Sequence, residues 1–226
     1  MLPIEQVDVW HGALDAFDGP GYWGDLTEAE QHQAGQIKHP QIQQRFVQVR
    51  SHLRQVLASY LNLPPTQIAI AKAEYGKPYL ADFPELAFNL SHTANDLVIA
   101  VGLHCQLGID IEHYLPRANL AALVKKFFAD EEAAYWQALP ETEQTQAFYQ
   151  FWTRKEALVK ASGRGIAAGL KQCVLNPSCK TEFLSVPIAL GVAKQWQLLE
   201  VDLGLPVCLA LVSQSDVKQV VRQRIL

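Results

Sequence analysis

The chain has 226 residues, of which 49% are hydrophobic and 19% are charged. That is enough apolar sequence to bury the core of one large domain or of two small lobes. The formal net charge of −4 excludes a general basic field that would attract nucleic acid or a membrane surface, so basic residues can only act locally. No apolar run is long enough to span a membrane.

Redox and targeting signals indicate an intracellular protein. The four cysteines, at positions 105, 173, 179 and 208, form neither a CxxC pair nor a zinc-binding spacing. We expect reduced thiols, mostly buried, as in cytosolic proteins. The N-terminal stretch MLPIEQVDVW has neither the basic region nor the apolar region of a signal peptide. We therefore expect a soluble cytoplasmic protein.

The chain begins with a predicted strand at 7–12, a Gly/Pro/Asp-rich loop at 16–25 and a short helix. Thr27 with Glu30 has the capping-box pattern that starts such a helix. The next helix, at 41–61, is predicted by apolar residues at three- and four-residue steps, and the sequence NLPP ends it.

The middle of the chain predicts strands. Residues 86–103 read as two strands joined by a polar turn, and 107–111 as a third strand close enough to pair with its neighbour. Helices follow a hinge at 113–117, the second of them capped by Asp130 and the third ending at Gly163. These helices cover 118–128, 130–139 and 141–162, and strands return at 171–177, 194–203 and 205–213. The pattern predicts an α+β protein.

Two acids, Asp110 and Glu112, stand two residues apart in the apolar segment GIDIEHY. Residues two apart on a strand point to the same side, so the carboxylates share one face and Ile109 and Ile111 share the other. Two anions on one face repel unless a cation lies between them, and Mg²⁺ often takes one or two carboxylates together with substrate phosphates. By spacing alone, a solvated strand end is the more frequent situation.

The segment FWTRKEALVKASGRG, at 151–165, places further charges on a helix. Glu156 and Lys160 are i, i+4 neighbours on one face, and Lys155 stands beside them. On its own this pattern is typical of a solvated helix face. Flanking apolar residues such as Phe151 indicate instead a mostly buried helix, whose charges need partners.

Two further positions could contact a phosphate. Ser91 and His92 end a strand at a turn, where polar groups are often presented to a ligand, although His92 is equally compatible with a structural role. Neighbours on a strand face opposite ways, so this dipeptide is not a nucleophilic pair. Gly76 and Pro78 flank Lys77 and predict a lysine held outward by a stiff turn, either for a phosphate contact or merely for solvation.

Together the three acids and the fixed cations suit a metal-bound polyphosphate, although neither a Walker lysine motif nor GxGxxG occurs. In this order and spacing, FNLSH, GIDIE and FWTRKEALVKASGRG resemble the signatures of the 4′-phosphopantetheinyl transferases of the surfactin-synthetase-activating (Sfp) type. The resemblance also takes in EYGKPYL and the arginine-bearing helix, and it covers most of residues 26–175.

The resemblance implies two similar α+β lobes, 1–112 and 113–226, related by a pseudo-two-fold with coenzyme A (CoA) in the cleft between them. It implies transfer of the 4′-phosphopantetheine arm of CoA to a serine of an acyl or peptidyl carrier protein, with release of 3′,5′-ADP. It also implies Mg²⁺, a monomeric pseudo-dimer, and neither a nucleic acid nor a membrane partner. The pathway of the carrier cannot be deduced from these motifs.

The resemblance further implies roles for individual residues. Asp110, Glu112 and Glu156 would hold Mg²⁺ on the pyrophosphate, and Glu156 would accept the proton of the carrier serine, either directly or through a metal-bound water. Lys160 would neutralise the leaving nucleotide, and His92 would bond the pyrophosphate. The predicted catalytic set is His92, Asp110, Glu156 and Lys160, and the predicted CoA ligands also include Arg50, Lys77, Pro78, Ser91 and Lys155.

One departure concerns the 3′-phosphate of CoA. Some family members carry two lysines in the short N-terminal helix, whereas LTEAEQHQA has none. Arg45, Lys38 and His39 are candidate replacements. Glu132 matches another family acid and could equally be a surface glutamate favoured by a helix N-terminus.

Two other functions are compatible with parts of the pattern. A metal-dependent phosphohydrolase of CoA-like pyrophosphates would use the same three acids with water as the nucleophile. A non-catalytic carrier-binding scaffold would have no need to keep acids that repel one another. Cleavage of CoA without a carrier would distinguish the hydrolase from a transferase.

Overall fold

The structure is a computed structural model that describes residues 2–14, 21–165, 169–179, 181–214 and 216–225. Within these ranges helices combine with mainly antiparallel sheets, which confirms the predicted α+β class. The helices are α1 (Gly21–Gly24), α2 (Glu28–Gly35), α3 (Pro40–Leu61), α4 (Leu120–Phe127), α5 (Asp130–Ala138) and α6 (Glu141–Ser162). The strands are β1 (Gln6–Ala13), β2 (Ile70–Lys72), β3 (Pro78–Leu80), β4 (Leu86–Thr93), β5 (Asp96–Leu103), β6 (Leu107–His113), β7 (Val174–Leu175), β8 (Phe183–Ser185), β9 (Gln197–Leu199), β10 (Val207–Ser213) and β11 (Gln219–Arg224).

The predicted loop at 16–25 is only partly described. Residues 15–20 lie outside the described ranges, and 21–24 form the short helix α1 rather than loop. Helix α2 has the predicted capping box: Thr27 Oγ1 accepts a hydrogen bond from the backbone N–H of Glu30, and the Glu30 carboxylate accepts one from that of Thr27. The same carboxylate accepts a bond of 2.6 Å from Arg54, which ties α2 to α3.

The larger sheet has the order β11-β1-β5-β4, and the smaller one has the order β6-β10-β9. The prediction that the strand at 107–111 pairs with its neighbour is wrong, because β1 and β4 already fill both edges of β5. Strand β6 crosses instead to the second sheet and pairs with β10. His104 has a φ of 50° in the connection, where the chain leaves the first sheet.

The two sheets share an apolar core that includes Val9, Ala100, Ile109 and Leu211. Helix α3 packs on the larger sheet and α6 on the smaller one, so each sheet has its own 22-residue helix. The predicted boundary at 112/113 falls inside β6, and β11 returns to the sheet of the N-terminal half. The division into lobes at that point stays a prediction.

The C-terminal helices follow the sequence pattern with one correction. Gly163 ends α6 with a φ of 70°, as its position predicted. The N-cap of α5 is Ala129 and not Asp130, whose side chain is exposed. The described cysteines form no disulfide with one another, and Cys173 and Cys208 are buried. None of the helices in the described ranges has the length and apolar composition that a membrane crossing requires.

Gly108 allows β6 to approach α6 closely. A Cβ atom at this position would lie 2.1 Å from the carbonyl oxygen of Ala157 and 2.3 Å from the backbone nitrogen of Ala161. We expect Gly108→Ala to push the helix off the strand and to lower the free energy of unfolding by about 3 kcal/mol. Chemical denaturation measures this, with Gly35→Ala as the control because that position is open. Equal stability of Gly108→Ala and the wild type would contradict the close packing.

Candidate active site

Strand β6 presents its two acids on one face, as the alternation predicted. Ile109 and Ile111 are buried in the core between the sheets, at 0% and 1% exposure. Asp110 and Glu112 point the other way, towards the side on which α6 packs. Asp110 is itself buried, at 6% exposure, whereas Glu112 is half-buried. A solvated strand end therefore does not describe Asp110.

Lys160 of α6 forms an ion pair with Asp110. Its Nζ lies 2.6 Å from Asp110 Oδ1 and donates to Ser91 Oγ at 2.9 Å and to the carbonyl oxygen of Ile109 at 3.2 Å. Ser91 donates to the same Asp110 oxygen at 2.9 Å. Ser91, predicted to contact CoA phosphates, is therefore part of the network that holds Asp110.

Glu156 lies one helical turn before Lys160. Burial, followed by the charge of Asp110, raises the pKa of Glu156 to about 6. Burial likewise raises the pKa of Asp110 and of Glu112, and the charge of Asp110 adds to the effect at Glu112. The Lys160 ammonium opposes the rise at all three carboxyls without reversing it. At Glu112 the charge of Arg117 acts in the same direction, and at none of the three carboxyls do the cations offset the effect of burial on the pKa.

The acid cluster offers the donor atoms that a hard divalent cation requires. Asp110 Oδ2 and Glu156 Oε1 are buried and have no hydrogen-bond partner within the described ranges. Leaving such oxygens unsatisfied costs free energy unless a donor or a cation meets them. No three His, Cys, Asp or Glu side chains of the described residues form a complete metal site by themselves. Mg²⁺, however, commonly uses one or two carboxylates and takes its other ligands from water and substrate phosphate, so the residues fit this ion.

A cleft of about 1030 Å³ opens beside the acids and is bounded by α3, the end of α6 and the β2–β3 turn. This volume is at the upper end of the range of small-molecule sites, roughly 300–1,000 Å³. Glu156 and Lys160 line it from α6, Arg45 and Arg50 from α3, and His92 from the end of β4. Six of the predicted CoA ligands thus share one cavity, namely Arg50, Lys77, Pro78, His92, Glu156 and Lys160, whereas Ser91, Asp110 and Lys155 are not among its lining residues.

Arg45 and His92 lie near each other in this cleft. Partial desolvation lowers the pKa of His92, and the charges of Arg45 and Lys160 lower it further, so the imidazole is neutral at neutral pH. Arg45 donates to Asn95 Oδ1 at 3.4 Å. Of the candidates for the 3′-phosphate contact, Arg45 lines the cleft, whereas Lys38 and His39 are exposed residues outside its lining.

Lys77 is not held outward, and this part of the prediction is wrong. Its Nζ donates to the carbonyl oxygens of Ala161 at 2.8 Å and Leu107 at 2.9 Å. Burial lowers the pKa of Lys77 to about 8. The side chain links the β2–β3 turn to the C-terminal end of α6, where a cation is favoured. Lys77 and Pro78 still line the cleft, so their contact with CoA stays a prediction.

The structure contradicts the assignment of Lys155 as a CoA ligand. Lys155 is completely buried, lies 2.7 Å from Glu132 and donates to the carbonyl oxygens of Leu170 and Cys173. Glu132, for which a surface position was one alternative, is also at 0% exposure. The pair connects α5, α6 and the chain at 170–175, so both residues have a structural role.

Two polar residues of the site, Asn89 and Thr93, escaped sequence reasoning. Asn89 Oδ1 accepts a hydrogen bond from the backbone N–H of Ile109 at 2.8 Å, and Thr93 Oγ1 donates to Glu112 Oε2 at 3.1 Å. The signal that could have identified them is the alternation along β4, because both residues stand two positions from Ser91 and so share its face.

Comparison with known proteins decides the family. The sequence model described as "4′-phosphopantetheinyl transferase superfamily" matches residues 106–210, and the one described as "4′-phosphopantetheinyl transferase, N-terminal" matches residues 24–104. The 4′-phosphopantetheinyl transferase HetI of Nostoc sp. is 35% identical over 88% of this chain and 84% of the relative. The chain belongs to the 4′-phosphopantetheinyl transferase superfamily.

Other relatives of the transferase carry the same name. A putative 4′-phosphopantetheinyl transferase of Synechocystis sp. is 35% identical over 77% of this chain and 71% of the relative. The 4′-phosphopantetheinyl transferase Sfp of Bacillus subtilis is 33% identical over 52% of this chain and 51% of its own. These matches confirm the predicted family and reaction class, with CoA and a carrier protein as the two substrates.

The two family matches of the transferase meet between β5 and β6. Helix α3 and strand β4 lie in the first match, and β6 and α6 lie in the second. The cleft residues of the transferase therefore come from both matched regions.

Proposed function

We propose that the transferase moves the 4′-phosphopantetheine arm of CoA to a serine hydroxyl of an apo carrier protein in the cleft between α3 and α6. The observation that carries this proposal is the pair of buried oxygens Asp110 Oδ2 and Glu156 Oε1, which have no hydrogen-bond partner among the described residues. They lie beside a cleft whose other wall carries Arg45 and Arg50. A cation bound to these oxygens and to a pyrophosphate would give the oxygens a partner and would neutralise negative charge of the pyrophosphate.

In this proposal Asp110, Glu112 and Glu156 would hold Mg²⁺ at the pyrophosphate-binding part of the cleft. When bound, the ion supplies neutralising charge to the phosphate that the nucleophile must approach. The surroundings of the three carboxyls support the assignment, because burial raises the pKa of each one and a bound cation would stabilise the carboxylate that burial disfavours.

Glu156 acts as the general base. The serine Oγ forms a bond to the phosphorus that carries pantetheine, the bond from that phosphorus to the oxygen of 3′,5′-ADP breaks, and the serine proton passes to Glu156. In the protein without metal the pKa of Glu156 is about 6, so the carboxylate is largely ionised at neutral pH and able to accept a proton.

The remaining side chains bind and neutralise the nucleotide. Lys160 lies on the cleft wall and can stabilise the negative charge that develops on 3′,5′-ADP. The neutral His92 donates one N–H to the pyrophosphate. Arg45 and Arg50 bind the nucleotide phosphates, and Arg45 is the proposed contact for the 3′-phosphate in the absence of the lysine pair.

The decisive experiment incubates the purified protein with CoA, Mg²⁺ and apo carrier proteins from fatty acid, polyketide and nonribosomal peptide synthesis. We expect the mass of at least one carrier to rise by one phosphopantetheinyl group and its Ser→Ala variant to stay unchanged. Chelation of the metal should prevent the shift. An unchanged mass of every carrier would contradict transfer. Rapid cleavage of CoA without a carrier would also contradict it and would favour the hydrolase.

We further propose that the transferase works as a monomer in the cytoplasm, without nucleic acid or membrane. Residues of a single chain line both walls of the cleft, which supports a monomer. The thiols of the described cysteines, which form no disulfide with one another, are in keeping with a reducing compartment. Light scattering during size-exclusion chromatography tests the oligomeric state.

A further inference from the structure

Strands β4 and β6 lie side by side at the acid cluster but belong to different sheets. Hydrogen bonds from side chains of β4 connect the two strands there, in place of hydrogen bonds between their backbones. Asn89, Ser91 and Thr93 share one face of β4 and contact, in turn, the N–H of Ile109, the carboxylate of Asp110 and the carboxylate of Glu112. The position of the acids relative to the first sheet therefore depends on these three bonds.

The first of these three hydrogen bonds holds the backbone of β6. Asn89 is buried at 5% exposure, and its Oδ1 satisfies the N–H of Ile109, which would otherwise be an unpaired buried donor. The carbonyl oxygen of Ile109 accepts from Lys160. Both polar groups of the residue before Asp110 are thus held by the site itself.

The last of these three hydrogen bonds holds a carboxylate of β6. Thr93 pairs with Asp96 of β5, so its backbone is held by the larger sheet, and its β-branched side chain has few rotamers. From this position Oγ1 donates to Glu112 Oε2 at 3.1 Å. A donor on one oxygen sets the rotation of the carboxylate about its last side-chain bond, and with it the direction of the other oxygen.

We propose that Thr93 is a positioning residue that orients Glu112 for metal binding. This inference rests on the proposed role of Glu112 as a Mg²⁺ ligand. Residues that hydrogen-bond a metal ligand orient it, and their loss typically weakens metal affinity by about 10–100-fold. Thr93 is not among the residues that line the cleft, so its effect should appear in metal binding and not in the binding of CoA.

The test uses the full-length protein saturated with CoA and Mn²⁺ as the probe, because Mn²⁺ prefers the same oxygen ligands as Mg²⁺ and its free form has an EPR signal. We expect Thr93→Val, which removes the hydroxyl at nearly constant shape, to weaken Mn²⁺ binding at least about 10-fold. Thr93→Ser, which keeps the hydroxyl, should restore most of the affinity. The KM for CoA at saturating metal should stay unchanged in both variants.

Thr66→Val serves as the matched control, since Thr66 is an exposed residue outside the cleft lining. Circular dichroism melts verify that every variant is folded. Wild-type Mn²⁺ affinity in Thr93→Val overturns the proposal, and so does equal weakening in Thr93→Val and Thr93→Ser, which would indicate packing instead of the hydroxyl. Carrier modification by the wild type tests the proposed function separately. If the wild type modifies the carrier and Thr93→Val binds Mn²⁺ as tightly as the wild type does, only the role of Thr93 is refuted. A wild type that binds no Mn²⁺ overturns the metal role and this inference together.

Discussion

Glu156→Gln is expected to abolish transfer and, at the same time, to stabilise the free protein above neutral pH. The side chain loses both its proton-accepting oxygen and its charge, so the rate of carrier modification should fall by about 10²–10⁴-fold. Folding should gain because the ionised Glu156 is repelled by Asp110 and Glu112 and is poorly solvated. Function and stability would thus be opposed at one residue.

The pH dependence of this gain follows from the direction of the pKa shift. The pKa of Glu156 rises from the ordinary 4.5 to about 6 in the folded protein. Its protonated form therefore favours folding below pH 4.5, and this contribution is lost as pH rises through 6. After allowance for partial solvent exposure, glutamine should add about 1 kcal/mol at pH 8, or about 2–4 °C in Tm.

Thermal melts of both proteins at pH 4.5 and pH 8 measure the effect. The difference between Glu156→Gln and the wild type should vanish at the lower pH. Glu143→Gln makes the same chemical change at an exposed position of α6 and should keep full activity with no gain in stability. Wild-type turnover by Glu156→Gln would remove Glu156 as the base, and a loss of stability at pH 8 would contradict the uncompensated charge.

The second large effect concerns the buried pair of Glu132 and Lys155. We expect Lys155→Met or Glu132→Gln to lower the free energy of unfolding by about 3–5 kcal/mol, because each leaves an uncompensated buried partner. The Glu132 carboxylate also accepts bonds from the N–H groups of Ala129 and Leu175, so three parts of the lobe depend on it. The double variant should recover part of the loss.

Urea denaturation of the two single variants and the double variant gives the coupling between the residues. Lys171→Met is the matched control, because Lys171 forms its ion pair with the exposed Asp130 and should be replaceable without a measurable change. A single variant as stable as the wild type would contradict the buried pair. So would a loss of CoA affinity in a fully folded Lys155→Met protein, which would return Lys155 to the cleft.

Local patterns were sufficient for several elements and for the composition of the site. The capping box at Thr27, the end of α6 at Gly163 and the shared face of Asp110 and Glu112 depend on residues a few positions apart, whose geometry the backbone dictates. The motifs around Asp110 and Glu156 also predicted the family and its reaction, which the comparisons confirm.

Other features depend on contacts between distant residues and were out of reach. The partner of β6 was mispredicted because proximity along the chain says nothing about which sheet edges are already occupied. Lys155 and Lys160 are both lysines of α6 next to apolar residues. Only the packing shows that Lys155 forms a buried ion pair with Glu132, whereas Lys160 forms its ion pair with Asp110. The inward orientation of Lys77 likewise depends on the carbonyl oxygen of Ala161, far along the sequence.

The sequence by itself thus determined the α+β class and the family, and it predicted the three acids, because these inferences rest on residue types at short, regular spacing. The tertiary structure alone decided how the acids are held. The two sheets lie side by side at the acids without backbone pairing between β4 and β6. The side chains of Asn89, Ser91 and Thr93 connect these strands by hydrogen bonds. A hydrogen bond acts over about 3 Å, so its partners are known only when the strands that carry them have been brought together.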